Sequence, residues 1–203
     1  KHGTSMASLI LHGDMSTEVP LPLPRKLYCI PIMQPDPKSQ DRGEHIPEDV
    51  FFEDRLHIAI KRMLEGDGEE LPTSKGVKLI NLSIGDPERP FIHTPSPWAR
   101  LLDWLSWKYR ILFCVSSGNF LSSIDLGVNH TAYSLLTDDE KISILIKAIA
   151  SDLSSRRLLS PAESLNALTV GAVHVDDSGE YVANRREDIL PNNELFSPVS
   201  RLG

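Results

Sequence analysis

The chain has 203 residues, of which 40% are hydrophobic and 24% charged, a composition that is ordinary for a globular domain of α/β size. Its 28 acidic side chains outnumber 21 basic ones, and the net charge of −7 argues against nucleic acid as the main partner. Its apolar runs fall short of the roughly 18 residues that a membrane span needs, and no signal peptide is recognisable, so no membrane partner is expected.

The first part of the chain predicts a helix, a strand and a second helix. Apolar side chains at helical spacing favour a helix over 4–12 that stops at Gly13. The apolar run 27–33 (LYCIPIM) is typical of a short buried strand. A second helix is predicted from Pro47 to about Glu65. Its apolar face consists of Phe52, Leu56, Ala59 and Met63.

The second part of the chain alternates strands with helices. Strands are predicted at 77–84, 111–116 and 168–175, with helices beginning at the cap residues Ser96 and Thr137. The strand 111–116 shows no alternation, as expected for a strand covered on both faces. This order predicts a three-layer α/β fold, a mostly parallel twisted sheet with helices on both faces. The apolar stripes of the two helices are Trp98, Leu101, Leu102 and Leu105, and Ile142, Leu145, Ile146, Ile149 and Leu153.

Four short motifs lie at the predicted strand ends and helix starts. They are HGT at 2–4, NLSIG at 81–85, SGN at 117–119, and SPA at 160–162 followed by TVGA at 169–172 and Phe196-Ser197. Each motif alone is common by chance. Together, in this order, they resemble the subtilisin-like serine peptidases, in a distant bacterial-type branch. The resemblance spans essentially the whole chain except a divergent stretch at 120–159.

The opening segment also contains Gly-Thr-Ser-Met-Ala at 3–7, which would make Ser5 a nucleophile. In subtilisins the acid comes first in the chain, then the histidine, then the serine. The resemblance places the NLSIG and SGN motifs between histidine and serine, and here both follow residue 2. Leu9 also stands where a proline would be expected after a nucleophile. We therefore interpret HGT as the histidine motif and Ser5 as coincidental.

The resemblance implies a role for each motif. His2 would be the general base, and its place at a helix N-terminus favours the neutral imidazole that a base needs. Asn119 would donate its side-chain amide to the oxyanion of the tetrahedral intermediate. Ser83, Ile84 and Gly85 would pair their backbone with an extended polypeptide substrate. Ser116, Ser117 and Gly118 would line the pocket for the residue before the scissile bond.

Two members of the triad are missing from the sequence. No acid precedes His2, and no Gly-Thr-Ser turn follows Phe196. We therefore expect residues 1–203 to be one partial peptidase domain, excised from a longer chain and inactive alone. Met6, Ser8 and Leu9 also depart from the family pattern. Sheet edges left open by such an excision would favour dimers.

Residues 120–159 are interpreted as a helical insertion after the oxyanion asparagine. Its position predicts a wall or lid beside the specificity pocket, or a docking surface. A helical decoration on the outside is an equal alternative. The basic pairs of the chain, such as Arg156-Arg157 and Arg185-Arg186, are short and isolated, and are interpreted as solvated surface.

No cofactor is expected. The sequence contains neither a GxxxxGK[ST] nor a GxGxxG motif, and its seven histidines lack the spacing of a zinc site. Asp14, Asp86 or Asp125 is an option for structural calcium, although none lies in a recognisable calcium loop. Cys29 and Cys114 lie in apolar runs, which favours buried free thiols in a reducing compartment such as the cytoplasm; a disulfide is the alternative.

Two other functions remain open at the level of sequence. The first is a catalytically dead subtilisin-like module that binds a peptide or protein. The second is an unrelated doubly wound α/β domain that binds a small molecule. The peptidase interpretation requires the strand ends with Ser83 and Asn119 to serve the same site as His2.

Overall fold

A computed structural model of the chain describes residues 2–13, 23–38, 43–47, 49–174, 189–190 and 195–202. The chain divides into two compact units, residues 1–75 and 76–203. No helix in these described ranges is long and apolar enough to cross a membrane.

The first unit begins with helix α1, His2–His12, which confirms the predicted helix but starts two residues before its predicted start at residue 4. The helix ends at Gly13, which has φ 67° and donates its N–H to the Leu9 carbonyl at 2.8 Å. Glycine adopts this left-handed conformation at little cost, so the predicted stop is confirmed. None of the α1 side chains is buried.

The predicted buried strand at 27–33 is wrong. The described structure has no strand at these positions, and the short antiparallel pair β1 (Gln34–Pro35) and β2 (Glu44–His45) follows instead. Leu27 and Tyr28 are 38% and 44% exposed. An apolar run forms a strand only where a partner accepts its backbone hydrogen bonds, and no described strand pairs with this run.

Both cysteines are free, and the expected burial is wrong for Cys29, which is exposed. Cys29 lies in the apolar run 27–33. No described strand pairs with this run, so Cys29 is not buried in a sheet. Cys114 is half-buried in the second unit. A disulfide between the two thiols is absent from this structure.

Helix α2, Phe52–Leu64, begins five residues after the predicted start at Pro47. Its N-cap Phe51 makes no side-chain cap bond. Instead, the negative charges of Glu53 and Asp54 in the first turn interact favourably with the positive end of the helix dipole. The buried face follows the 3.6-residue period, so Ile60 is buried and Ala59 is only half-buried. The buried residues are Phe52, Leu56, Ile60 and Met63.

The second unit contains a parallel three-stranded sheet in the order β3-β5-β7, so the predicted α/β class and parallel sheet are confirmed. Leu82 pairs with Val115, and Val115 with Thr169. A separate antiparallel pair joins β4 and β6. The elements are β3 (Leu79–Leu82), β4 (Asp86–Pro90), α3 (Pro97–Tyr109), β5 (Leu112–Ser116), α4 (His130–Ser134), α5 (Asp138–Ser151), a 3-10 helix (Leu153–Arg156), β6 (Leu159–Ser160) and β7 (Ala167–Val170).

Strand β5 alternates in burial although its sequence does not alternate in polarity. Phe113 and Val115 are buried, whereas Leu112 on the opposite face is 41% exposed. Helix α3 contacts β5 and β7. The expectation that both faces of this strand are covered is therefore not met by the described residues.

Both predicted caps in the second unit are confirmed. Ser96 Oγ accepts a hydrogen bond from Ala99 N at 3.1 Å and is followed by Pro97 at the first turn of α3. Thr137 and Glu140 form a complete capping box at the start of α5. The hydrogen bonds from Thr137, first from its backbone N–H and then from its hydroxyl, lower the pKa of Glu140.

The 120–159 segment contains α4, α5 and the 3-10 helix. Leu145 and Ile149 are buried, but Ile146 and Leu153 are 44% and 51% exposed, so the apolar stripe of α5 is narrower than predicted. Leu145, Ile149 and Leu190 form a small hydrophobic cluster. The partly buried side chains around this cluster are Ile124, Leu126, Ile142, Ile189, Leu195 and Leu202.

Candidate functional site

Three of the four sequence motifs meet at one edge of the parallel sheet in the second unit. The strands β3, β5 and β7 run in the same direction, so their carboxyl ends lie at a common edge. The residues that follow these ends are 83–85, 117–119 and 171–172. In open α/β sheets, ligands bind outside the carboxyl ends of the strands, which makes this edge the candidate site.

Leu159 packs against two glycines of the site. A Cβ atom on Gly118 would lie 2.7 Å from Leu159 Cγ, and Gly118 has φ 99°, a conformation that favours glycine. A Cβ atom on Gly85 would lie 3.2 Å from Leu159 Cβ and 3.9 Å from Gly118 Cα. The NLSIG and SGN motifs are therefore neighbours in space, and the two glycines allow this approach.

Ser117 ties the loop after β5 to the loop after β7. It is 4% exposed, and its N–H donates to the Val170 carbonyl at 2.9 Å. Its Oγ lies 3.1 Å from Ser200 Oγ, which accepts from Ala172 N at 3.2 Å. The Ser117 hydroxyl is thus engaged inside the protein. The half-buried Ser116 accepts from Gly118 N at 3.2 Å.

Asn119 combines a fixed backbone with an exposed side chain. Its carbonyl accepts from Arg201 Nε at 3.0 Å, and it bridges to Ser200 as an isolated antiparallel pair. The next residue, Phe120, donates its N–H to the Val199 carbonyl at 2.8 Å. No described residue hydrogen-bonds to the Asn119 side-chain amide, which leaves the amide available to a ligand at the sheet edge.

Ser83 and Ile84 are half-buried and lie directly after β3. Asn81 Nδ2 donates to Ser83 Oγ at 3.0 Å, which holds the Ser83 side chain close to the strand. The first residue of β4, Asp86, pairs with Ser160 of β6. The start of the SPA motif therefore lies beside the end of NLSIG.

Ser160 is completely buried, and its Oγ lies 2.6 Å from the Oγ of Ser96, the cap of α3. Ser96 N donates to Glu163 Oε1 at 3.0 Å. These contacts hold the SPA motif against the N-terminus of α3. The negative charge of the Glu163 carboxylate also interacts favourably with the positive end of the α3 dipole.

The interpretation of Arg156 as solvated surface is wrong, because its side chain is 1% exposed. Its guanidinium carbon lies 3.9 Å from the centre of the Phe120 ring, and Nη1 donates to the Pro198 carbonyl at 2.7 Å. Burial lowers the pKa of Arg156, and the nearby Asp152 carboxylate opposes this shift. These partners are distant in sequence, so no local pattern around Arg156 indicates its burial.

Arg201 is the second residue of the site that the sequence did not reveal. Its backbone N–H donates to the Gly118 carbonyl at 3.1 Å. Its Nη1 donates to the carbonyls of Ser155 and Arg157, at 2.9 and 3.1 Å. The carboxyl end of the 120–159 segment is thereby linked to the loop that carries Asn119.

His2 is exposed and is the first residue of α1 in the first unit. The other seven predicted site residues all belong to the second unit. The structure therefore brings the Asn119 and Ser83 loops together within one unit and assigns His2 to the other.

The carboxylates considered for calcium make local contacts. Asp86 Oδ1 accepts from Glu88 N at 3.0 Å, and Asp125 Oδ1 accepts from Gly127 N at 2.9 Å. Asp14 lies outside the described residues. Within the part of the chain that the structure describes, no group of three or more His, Cys, Asp or Glu side chains is arranged to hold a metal ion.

Comparison of the chain with protein-family models, curated proteins and solved structures gave no match.

Proposed function

We propose that the chain carries the histidine, oxyanion and substrate-binding elements of a subtilisin-like serine peptidase. The complete domain would have the three-layer arrangement of that family, with helices on both faces of the sheet. The proposal rests on motif order and on one structural observation. Asn119, at the carboxyl edge of the sheet, has a backbone held by Arg201 and Ser200 and a side-chain amide without a partner among the described residues.

The substrate would be a polypeptide in extended conformation. Ser83–Gly85 follow β3 directly, and Gly85 and Gly118 leave little side-chain bulk beside Leu159. A peptide backbone laid along this segment would add a strand and place its scissile carbonyl toward the Asn119 loop. The 120–159 segment, linked to that loop through Arg201, would form a wall of the adjacent pocket.

The chemistry would follow the triad mechanism. His2 would accept the proton of a serine hydroxyl as the serine oxygen attacks the carbonyl carbon. The Asn119 amide would donate a hydrogen bond to the resulting oxyanion. His2 would then return the proton to the leaving amine, and water would release the acyl group. The proposal assigns the serine and the acid that orients His2 to residues outside 1–203.

Kinetics of the natural protein that contains this chain would test the role of Asn119. Asn119→Ala removes the donor, and the nearly isosteric Asn119→Asp replaces it with a negative charge. In subtilisin itself, loss of one such donor lowers kcat by about 10²–10³. We expect a similar fall in kcat with KM little changed. A changed KM at unchanged kcat would contradict the oxyanion role.

The alternative is a catalytically dead module that binds a peptide at the same edge. The contacts that build the Asn119 and Gly85 loops lie within the second unit and do not require His2. In that case the natural protein would bind extended peptides, and Asn119→Ala would alter only the dissociation constant.

A further inference from the structure

Helix α3 carries two exposed tryptophans. Trp104 is 40% exposed and Trp107 is 64% exposed, while Trp98 on the opposite side of the helix is 4% exposed. The buried side of α3 already contacts β5 and β7. The outward side therefore presents a large aromatic surface that stays partly exposed in the folded chain.

Three cations lie on or at the end of the same helix as these tryptophans. We define the tryptophan face as Arg100, Trp104, Trp107, Lys108 and Arg110. The first four recur at helical spacing, and Arg110 ends the helix with φ 54°. Lys108 Nζ lies 5.0 Å from the centre of the Trp104 ring, a cation–π contact on the surface itself.

The charge of this helix is opposite to that of the whole chain. Residues 97–110 contain three cations and one carboxylate, 3 − 1 = +2, against a net charge of −7 for the chain. That carboxylate, Asp103, is occupied by Ser164 Oγ and Asn166 N, both at 2.7 Å. Among the described residues, neither Arg100 nor Arg110 has an ion-pair partner.

We propose that the tryptophan face binds an acidic polypeptide segment that carries apolar side chains. Exposed tryptophan and arginine are the residues most enriched at the energetic centres of protein interfaces. Guanidiniums without an ion-pair partner among the described residues, on the same helix as exposed indole rings, fit a chain in which carboxylates alternate with apolar groups. This surface is the outward side of α3, whereas the candidate active site is formed by the loops after β3, β5 and β7, and the proposal does not depend on peptidase activity.

Two other anionic partners fit less well. Anionic membranes are recognised by clusters of about four to eight cations, and this face has three. Nucleic acid binding depends on a concentrated basic surface that follows the phosphate backbone, and three cations on one helix do not form such a surface.

Tryptophan fluorescence of the 203-residue chain would test the proposal. The chain has three tryptophans and Trp98 is buried, so a ligand-induced change in emission would report chiefly on Trp104 and Trp107. The probe is a short peptide of alternating Glu and Leu, and its control has Gln in place of every Glu. We expect a saturable blue shift with the Glu peptide and a much smaller response to the Gln peptide.

Three variants show whether binding of the Glu peptide depends on the tryptophan face or on the overall charge of the chain. Arg100→Glu and Trp107→Ala should each weaken binding of the Glu peptide by about tenfold, as for an interface centre. Lys147→Glu, which changes an exposed lysine of α5 by the same charge, should leave binding unchanged. Far-UV circular dichroism would verify that each variant is folded.

Several results would overturn the proposal. They are equal binding of the Glu and Gln peptides, equal weakening by Lys147→Glu, and no saturable response to the Glu peptide. A blue shift with phosphatidylcholine–phosphatidylserine vesicles or single-stranded DNA, but not with the Glu peptide, would assign the face to lipid or nucleic acid instead.

Discussion

The Arg156 guanidinium lies 3.9 Å from the centre of the Phe120 ring, and both side chains are almost fully buried, at 1% and 6% exposure. Phe120 is the immediate neighbour of Asn119, the candidate oxyanion donor. The same guanidinium holds the Pro198 carbonyl. The contact therefore supports the Asn119 loop from the interior, and connects it to the end of the 120–159 segment.

We predict that two substitutions of Arg156 differ in their effect on the free energy of unfolding. Nε and Nη2 of Arg156 are buried without a hydrogen-bond partner among the described residues, so part of its stabilisation is offset by desolvation. Arg156→Met fills the space without a charge and should change the free energy of unfolding by less than about 1 kcal/mol. Arg156→Ala leaves a cavity and should cost about 3 kcal/mol. Urea unfolding measures both, and equal losses would argue against this interpretation.

Gly118 should tolerate no side chain. Gly118→Ala would place a Cβ atom 2.7 Å from Leu159 Cγ at a φ of 99°. Gly127→Ala is the matched control, because Gly127 also has a positive φ, of 68°, but has nothing within 4 Å of its Cβ position. We expect a loss of about 1 kcal/mol for Gly127→Ala, from backbone strain alone. Gly118→Ala should cost about 3 kcal/mol, since overpacking adds to strain. Thermal unfolding would show whether the losses differ.

The capping box of α5 predicts a pH dependence. Its hydrogen bonds lower the pKa of Glu140 from the ordinary value of 4.5. A carboxyl group with a depressed folded-state pKa stabilises the fold above the unfolded-state pKa, and this contribution is lost as the pH falls through the folded-state value. Wild type should therefore lose stability relative to Glu140→Gln as the pH drops below about 4.5. Parallel pH profiles of the two proteins would contradict this.

Leu145 should anchor the 120–159 segment, and Ile146 should not. Leu145 is 1% exposed within the small hydrophobic cluster, whereas Ile146 is 44% exposed. Leu145→Ala should cost about 3 kcal/mol and Ile146→Ala much less, because only the first opens a cavity. If this segment forms a pocket wall, Leu145→Ala should also alter the substrate preference of the natural protein. Unchanged preference would favour an external decoration.

The helix caps and the parallel sheet were correctly predicted from the sequence. Ser96 and Thr137 cap their helices with side chains that act within three residues, so no knowledge of the fold was needed. The parallel sheet followed from the alternation of strands and helices. Its carboxyl edge then brought Gly85 beside Gly118.

Features that depend on distant partners were not predicted. The run 27–33 has the composition of a strand, but a strand also requires a partner for its backbone. Arg156 contacts residues 36 and 42 positions away, at Phe120 and Pro198, and nothing near it in the chain distinguishes it from a surface arginine. The burial of β5 likewise depends on which of its faces α3 covers.

The measurement that tests the central claim most directly is active-site labelling of the natural protein that contains residues 1–203. The protein is treated with a fluorophosphonate probe, and any adduct is mapped by mass spectrometry in wild type, His2→Ala and His12→Ala. His12 is the control because it is an exposed histidine at the other end of α1. We predict an adduct on one serine outside residues 1–203, lost in His2→Ala and retained in His12→Ala. An adduct that persists in His2→Ala, or its absence from folded wild type after proteolytic activation, would contradict a serine peptidase with His2 as its base.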